Sequence, residues 1–168
     1  MTISMYSMTV PFYAGMLTNL AHVLTKAEAW ATERKIDPTV LLNDRLAPDM
    51  LTMKRQVQIA TDHAKSAAAR LGGVENPSFP DTEETFAELH ARIAKVRDFV
   101  LSVPQAGFDG AEDRNITIKV GPQEMTFPGG QYLQGYSFPN FYFHMTTAYA
   151  ILRHNGVPLG KGDFFGRG

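Results

Sequence analysis

The feature that most constrains the fold is an apolar stripe of helical spacing between residues 50 and 71. Its members recur at alternating steps of three and four: Met50, Met53, Val57, Ala60, Ala64, Ala67 and Leu71. Since one helical turn takes 3.6 residues, this spacing puts all of them on one side of a helix. Pro48 suits a first helical turn, and Gly72 and Gly73 supply a stop. The pattern predicts an amphipathic helix over residues 48–71.

Three further segments carry apolar stripes of the same kind. One of them runs from Phe86 to Val103 and follows a capping-box-like start at Asp81 and Glu84. The last segment is apolar around most of its circumference, which is typical of a central helix or of one shared with a partner subunit. We predict these three helices over residues 9–35, 82–103 and 138–154.

Two residues set helix starts, and a change of period marks a different structure before the last helix. Pro11 indicates a regular helix that begins just before it, and Ser137 is a candidate N-cap of the last helix. Residues 115–127 alternate with period two on both sides of a turn at Gly121 and Pro122. This alternation predicts a short β-hairpin. It must pack against the helices, because an isolated hairpin is only marginally stable in water.

The number of helices and the length of their connections indicate the fold class. Four helices with one long third connection predict an all-α fold, a four-helix bundle rather than a solenoid. A hydrophobic content of 44% in 168 residues suffices for one buried core. There is no internal repeat, so we assign residues 1–168 to a single domain.

Charge and composition exclude several classes of partner. The net charge of −1 gives no basic field that would attract nucleic acid or anionic lipid. No apolar run approaches the roughly 18 residues that a membrane span needs. The first ten residues lack the basic start of a secretory signal, and the absence of cysteine removes disulfides and thiolate metal sites. We therefore expect a cytoplasmic protein that binds neither nucleic acid nor membrane.

A polar line accompanies the apolar stripe of the second helix. Asp49, Gln56 and His63 follow one another at intervals of seven residues, and Arg70 extends the series. In helical bundles, polar positions next to the apolar stripe often face a cleft between helices. The alternative is that these are ordinary flanking positions, solvated or paired with charges on the first helix.

His144 stands out because it lies on the mostly apolar fourth helix. A buried imidazole needs hydrogen-bond partners or a metal, so it is either a satisfied core histidine or part of a site. Tyr149 belongs to a set of tyrosines on the first and last helices that could orient a ligand. Such residues are often core residues whose hydroxyl reaches solvent. No His-x-x-x-His or His-Glu-x-x-His ligand set is present.

Blocks of sequence spread over the whole chain resemble a bacterial and fungal family of unknown function. The blocks are Leu46-Ala-Pro-Asp-Met50 with Gln56, Phe138-Pro-Asn-Phe-Tyr-Phe-His144, Thr147-Ala-Tyr-Ala-Ile-Leu-Arg-His-Asn-Gly-Val157 and Leu159-Gly-Lys-Gly-Asp-Phe164. That family is part of the DinB/YfiT-like superfamily of metal-dependent four-helix bundles. The resemblance implies a bundle, often dimeric, with a metal held by one histidine of helix two and a His-x-x-x-His pair of helix four. Several relatives are thiol transferases that use bacillithiol or mycothiol, or thiol-dependent maleylpyruvate isomerases.

The implied metal ligands carry over only in part. His144 matches the first histidine of the helix-four pair, and it is the only carried-over ligand. Ala148 stands at the second position of that pair, and Gln56 stands at the helix-two position. A divalent metal cofactor would need carboxylate help, for which Asp49 is the nearest candidate.

Three functions remain open from the sequence. The first is a small-molecule binder with a polar pocket between helices two and four, enzymatic if His144 acts as general acid/base. The residues expected to line that pocket are Asp49, Gln56, His63, His144 and Tyr149. The second is a metal-dependent, thiol-transferase-like enzyme with a degenerate site. The third is a non-enzymatic structural or interaction dimer, and we expect a homodimer because of the apolar fourth helix.

Overall fold

The computed structural model describes residues 3–167, so residues 1, 2 and 168 of the predicted domain lie outside the described part. The helices are α1 (Met5–Glu33), α2 (Pro38–Asn43), α3 (Met53–Gly72), α4 (Phe86–Ser102), α5 (Gly129–Gln131), α6 (Phe138–His154) and α7 (Lys161–Phe164). The strands are β1 (Asn115–Val120) and β2 (Gln123–Pro128). A 3₁₀ turn (Gln105–Phe108) follows α4, and a π-helical segment (Tyr132–Ser137) joins α5 to α6.

The four long helices α1, α3, α4 and α6 pack side by side around one apolar core. α3 is central, because it packs against α6, α4 and α1, while α1 also packs along α4. The predicted four-helix bundle with a hairpin between its third and fourth long helices is therefore confirmed. No helix within residues 3–167 combines the length and the apolarity needed to cross a membrane.

The stripe predicted on the second long helix forms part of the core. From Met53 to Leu71 its members are fully buried, and they share one apolar cluster with Leu17, Leu20 and Leu24 of α1. Burying one leucine side chain contributes about 1.5–3 kcal/mol, so the apolar side chains of this cluster are a major source of stability. The alanines of the stripe let the neighbouring helices approach closely.

The first helix begins four residues earlier than predicted. Ser4 is its N-cap, and its hydroxyl accepts from the Ser7 amide at 3.1 Å, while the Ser7 hydroxyl accepts from the Ser4 amide at 2.9 Å. Pro11 therefore lies inside α1 rather than at its start. A proline inside a helix costs one hydrogen bond, and the reciprocal cap and the burial of Met5 and Val10 offset this loss.

The third helix of the chain begins later than predicted, at Met53. Residues 47–50 form a turn closed by the Met50 amide, which donates to the Ala47 carbonyl at 3.0 Å. The Met53 amide then donates to the Asp44 carbonyl at 2.9 Å. Pro48 consequently lies in a loop, and so does Asp49, which the sequence had placed on the helix.

The start of α4 was also predicted too early. Its capping box is formed by Thr85 and Glu88: the Thr85 hydroxyl accepts from the Glu88 amide at 3.2 Å, and the Glu88 carboxylate accepts from the Thr85 amide at 2.9 Å. Asp81, the predicted cap, instead forms ion pairs with Arg55 and Arg92. Thr85 and Glu88 repeat the spacing of Asp81 and Glu84 four residues later, and at that position both partners complete the reciprocal cap.

The predicted hairpin is present over residues 115–128. Its antiparallel register pairs Asn115 with Pro128 and Val120 with Gln123. Gly121 has a φ of 59°, which suits the first central position of a two-residue hairpin turn. Ile116 and Ile118 are buried against the bundle, and this contact supplies the support that a two-stranded sheet needs.

The last long helix has the predicted bounds, but it continues a helical run that starts earlier. Residues 129–154 are helical without a break, so Ser137 does not cap α6. Its hydroxyl is instead fully buried and lies 2.6 Å from the Tyr13 hydroxyl of α1. Gly129 is the first residue of this helical run and lies next to the Ala111 carbonyl. A Cβ at position 129 would lie 1.9 Å from that carbonyl oxygen. A side chain there is sterically excluded, so glycine is required.

Candidate functional site

The candidate site lies between α3 and α6, and α3 contributes to it through residues two turns apart. Gln56, His63 and Arg70 are separated by seven residues each, so they lie along one face of the helix. Gln56 is only 1% exposed, whereas His63 and Arg70 are half-buried. These polar side chains therefore extend from the core to the C-terminal end of α3, where Arg70 lies beside the π-helical segment.

Gln56 fixes the orientation of His144 on α6. The distance from His144 Nδ1 to Gln56 Oε1 is 2.7 Å, and Gln56 Nε2 donates to the Leu51 carbonyl at 3.1 Å. Because the Leu51 carbonyl can only accept, the amide nitrogen must face it and the amide oxygen must face His144. An amide oxygen also only accepts, so His144 Nδ1 carries the proton and Nε2 keeps its lone pair.

His63 lies beside His144 on the opposite helix. The two ring centroids are 5.9 Å apart with an interplanar angle of 16°, and Tyr136 lies 5.8 Å from His63. Burial lowers the pKa of His63 to about 4, with smaller contributions from His144 and from the Arg70 cation. Burial also lowers the pKa of His144. Both imidazoles are therefore neutral at pH 7, as proton acceptors must be.

The π-helical segment adds two tyrosines that the sequence analysis did not single out. Arg70 Nη1 donates to the Tyr132 hydroxyl at 3.1 Å, and the Tyr132 ring stacks with that of Tyr136 at 5.9 Å. Tyr132 is fully buried, and burial raises the pKa of its hydroxyl. The sequence signal that could have identified them is their four-residue spacing just before the last helix.

Two of the predicted site residues lie elsewhere. Asp49 is exposed in the loop before α3, and its carboxylate forms no hydrogen bond or ion pair within residues 3–167. The Tyr149 hydroxyl donates to the Leu159 carbonyl at 3.4 Å, and its ring meets Phe164 at 5.9 Å. Tyr149 thus holds the C-terminal segment against the bundle, while Gln56, His63 and His144 come together.

Comparison with known proteins places the chain among relatives with this architecture. Residues 5–165 match the family model described as Domain of unknown function (DUF1993). The chain belongs to this family. The structure also matches the crystal structure of a DinB family member protein from Shewanella denitrificans, with a TM-score of 0.86 and 44% sequence identity. That match covers 95% of this chain and 90% of the other chain. No curated protein matches.

The donors of this DUF1993 chain do not fit the three-histidine metal site that the resemblance implies. Ala148 is fully buried and offers no ligand atom, and the Gln56 amide is engaged at both ends. Within the described residues no three His, Cys, Asp or Glu side chains come close enough to hold a metal ion. The arrangement that remains is an oriented imidazole with a second imidazole beside it, which can accept and return a proton.

Proposed function

We propose that this DUF1993 protein binds a small molecule between α3 and α6 and that His144 serves there as a general acid/base. The observation that carries the proposal is the 2.7 Å contact between His144 Nδ1 and Gln56 Oε1. It holds the imidazole in one tautomer and leaves Nε2 as the proton acceptor. Such fixed orientation by a buried partner is what general acid/base groups require.

The neighbours of His144 suit a proton that is taken up and then returned. When Nε2 accepts a proton, the Nδ1–H bond to Gln56 becomes charge-assisted and therefore stronger, which supports the imidazolium. Burial opposes the same charge, and so does the nearby imidazole of His63 whenever that ring is protonated. The imidazolium is thus favoured only while a ligand supplies compensating charge.

The test is a fragment screen followed by NMR on wild type and two variants. We expect fragments that shift the His144 Hε1 signal and that lose binding in His144→Ala. The matched control is His154→Ala, an exposed histidine at the end of the same helix, which should bind them unchanged. A fragment that is converted should lose turnover by about 100-fold or more in His144→Ala. Fragments that bind His144→Ala as tightly as wild type contradict the proposal.

We also propose that two copies of the chain pair through the outer face of α6. An open groove of about 410 Å³ runs along this face beside the loop before α3. Phe143 is 55% exposed and Leu46 is 46% exposed at its edge, and none of its lining residues is charged. A twofold interface brings a patch against itself, so an uncharged apolar patch avoids like-charge repulsion there.

Light scattering at micromolar concentration tests this pairing. We expect the mass of a dimer for wild type and that of a monomer for Phe143→Glu, which puts one carboxylate from each copy into the shared apolar face. Thr117→Glu on the exposed side of the hairpin is the control and should stay dimeric. A monomeric wild type contradicts the pairing.

A further inference from the structure

Arg70 brings a cation without a counter-ion to one end of the candidate site. Among residues 3–167 its guanidinium forms no ion pair, and its one side-chain hydrogen bond goes to the neutral Tyr132 hydroxyl at 3.1 Å. A guanidinium carries five N–H donors, so most of them are left for another partner. The half-buried position makes an unpaired charge costly, which a bound anion would relieve.

We infer that Arg70 binds the carboxylate of an organic acid whose other end meets His144 Nε2. This inference rests on the proposed function, because it names the chemical class of the ligand at the same site. Arg70 lies two helical turns beyond His63, about 10 Å along α3, and the His144 ring lies 5.9 Å from that of His63. The anionic group and the reacting group therefore lie at opposite ends of one small molecule.

The rings between these two ends favour a ligand with an apolar or flat middle. Tyr132 and Tyr136 stack at 5.9 Å, and Tyr136 lies 5.8 Å from His63, so aromatic surface connects Arg70 with the imidazoles. An open cavity of about 420 Å³ adjoins Tyr136, since Phe127 both lines that cavity and stacks with Tyr136 at 6.2 Å. The residues that line it are Phe127, Gln131, Gln134 and Gly135, so it lies beyond Tyr136 and can take only a part of the ligand that extends past that ring.

The charge of the site favours a carboxylate over a phosphate. Arg70 is the one cation of the cluster formed by Gln56, His63, Arg70, Tyr136 and His144, because both imidazoles are neutral at pH 7. One guanidinium matches one carboxylate in charge and in its two-pronged geometry. A phosphate monoester carries up to two charges at this pH and would leave one of them uncompensated.

The experiment compares three carboxylates with their neutral amides by NMR titration at pH 7.5. The pairs are acetate and acetamide, hexanoate and hexanamide, and benzoate and benzamide. We expect at least one acid to bind about tenfold more tightly than its amide and to shift the His144 signals. Arg70→Gln should remove this preference and leave amide binding unchanged. Arg70→Lys should keep part of it, and Arg153→Gln, on the exposed end of α6, should keep all of it.

Each outcome bears on one of the two proposals. An acid that binds no better than its amide, or equally well to Arg70→Gln, overturns the inference, and so does inorganic phosphate that competes as strongly as the acid. Neutral fragments that still shift His144 in those cases leave the proposed function intact. Acids that depend on Arg70 but bind without His144 overturn both the proposed function and the placement of the ligand.

Discussion

The Gln56 amide bonds two partners at once, and this fixes the tautomer of His144. Its amide nitrogen is fixed by the Leu51 carbonyl, and its amide oxygen therefore selects the Nδ1–H form of His144. Such selection needs a buried amide, because an exposed one rotates freely and bonds to water.

Gln56→Ala should release the tautomer of His144. We expect a mixture of Nδ1–H and Nε2–H forms at pH 7.5, whereas wild type shows the Nδ1–H form alone. Loss of the buried amide and of its hydrogen bonds to Leu51 and His144 should also lower the free energy of unfolding by about 1–3 kcal/mol. Long-range ¹H–¹⁵N NMR of the imidazoles measures the first effect, with exposed His154 as the internal control. A wild-type His144 in the Nε2–H form contradicts the assignment.

His63 should make stability depend on pH between about 6.5 and 4. Its pKa is about 4 in the folded protein and near 6.5 in the unfolded chain, so only the unfolded chain gains a proton as the pH falls through this range. Stability from this group is complete above the unfolded pKa and falls by at most roughly 3 kcal/mol toward pH 4. The groups that face it are His144 on α6, Arg70 on its own helix and Tyr136 on the π-helical segment.

The measurement is the free energy of unfolding of wild type and His63→Gln between pH 7.5 and 4. Carboxylates titrate equally in both proteins, so the difference between them isolates His63. The difference should shift in favour of His63→Gln as the pH falls. A difference that stays constant over the range contradicts the buried neutral histidine.

The donor set of the site makes a prediction about metal content. With one carried-over ligand at His144 and an alanine at position 148, tight binding of a transition metal is not expected. Protein purified without a histidine tag should contain far less than one equivalent by mass spectrometry, both as wild type and as His144→Ala. Near-stoichiometric metal that disappears in His144→Ala would contradict this account.

At the scale of elements, the junction between the hairpin and the last helical run places the tyrosines of the site. Gly129 opens this run in close contact with the Ala111 carbonyl, and the π-helical segment that follows presents Tyr132 and Tyr136 toward α3. Residues 129–154 are helical without a break, so a shift of Gly129 would also shift Tyr132 and Tyr136. The close contact at Gly129 therefore helps to set the positions of these two tyrosines.

Gly129→Ala should therefore destabilise the protein, although alanine is the better helix former. The new Cβ would lie 1.9 Å from the Ala111 carbonyl oxygen, and the backbone must move to relieve the clash. We expect a loss of roughly 1–3 kcal/mol in thermal or denaturant unfolding. Gly130→Ala is the matched control, since its Cβ would meet the Glu112 carbonyl at an ordinary 3.6 Å. Equal stability of the two variants would contradict the close contact.

At the scale of the whole molecule, the sequence predicts the architecture well because burial and periodicity are repetitive signals. Every stripe residue from Met53 to Leu71 is buried, and the long helices end within two residues of their predicted ends. Helix starts depend on single hydrogen bonds instead. Helix α1 is capped by Ser4 rather than starting near Pro11, and α4 is capped by Thr85 rather than by Asp81. In each case the observed N-cap residue completes a reciprocal cap.

The site could be predicted only where its residues share one helix. Gln56 and His63 follow from spacing along α3, and His144 follows from its apolar surroundings on α6. The sequence predicts Asp49 beside them because it predicts a helix from residue 48, whereas the turn at residues 47–50 takes Asp49 out of that helix. Contacts between distant elements, such as Arg70 with Tyr132, depend on how helices rotate against one another, and periodicity does not record that.

The π-helical segment has a consequence for how such proteins diverge. A π turn is closed by an i→i+5 hydrogen bond and so takes up one residue more than an α turn. Deleting exposed Gln134 would restore the ordinary turn and rotate the helical residues from Gly129 to Leu133 by about 100° relative to α6. Tyr132 would leave Arg70, while Gln56 and His144 would stay paired. One in-frame deletion would thus separate the two parts of the candidate site: the Gln56–His144 pair would remain, and the tyrosine beside Arg70 would change.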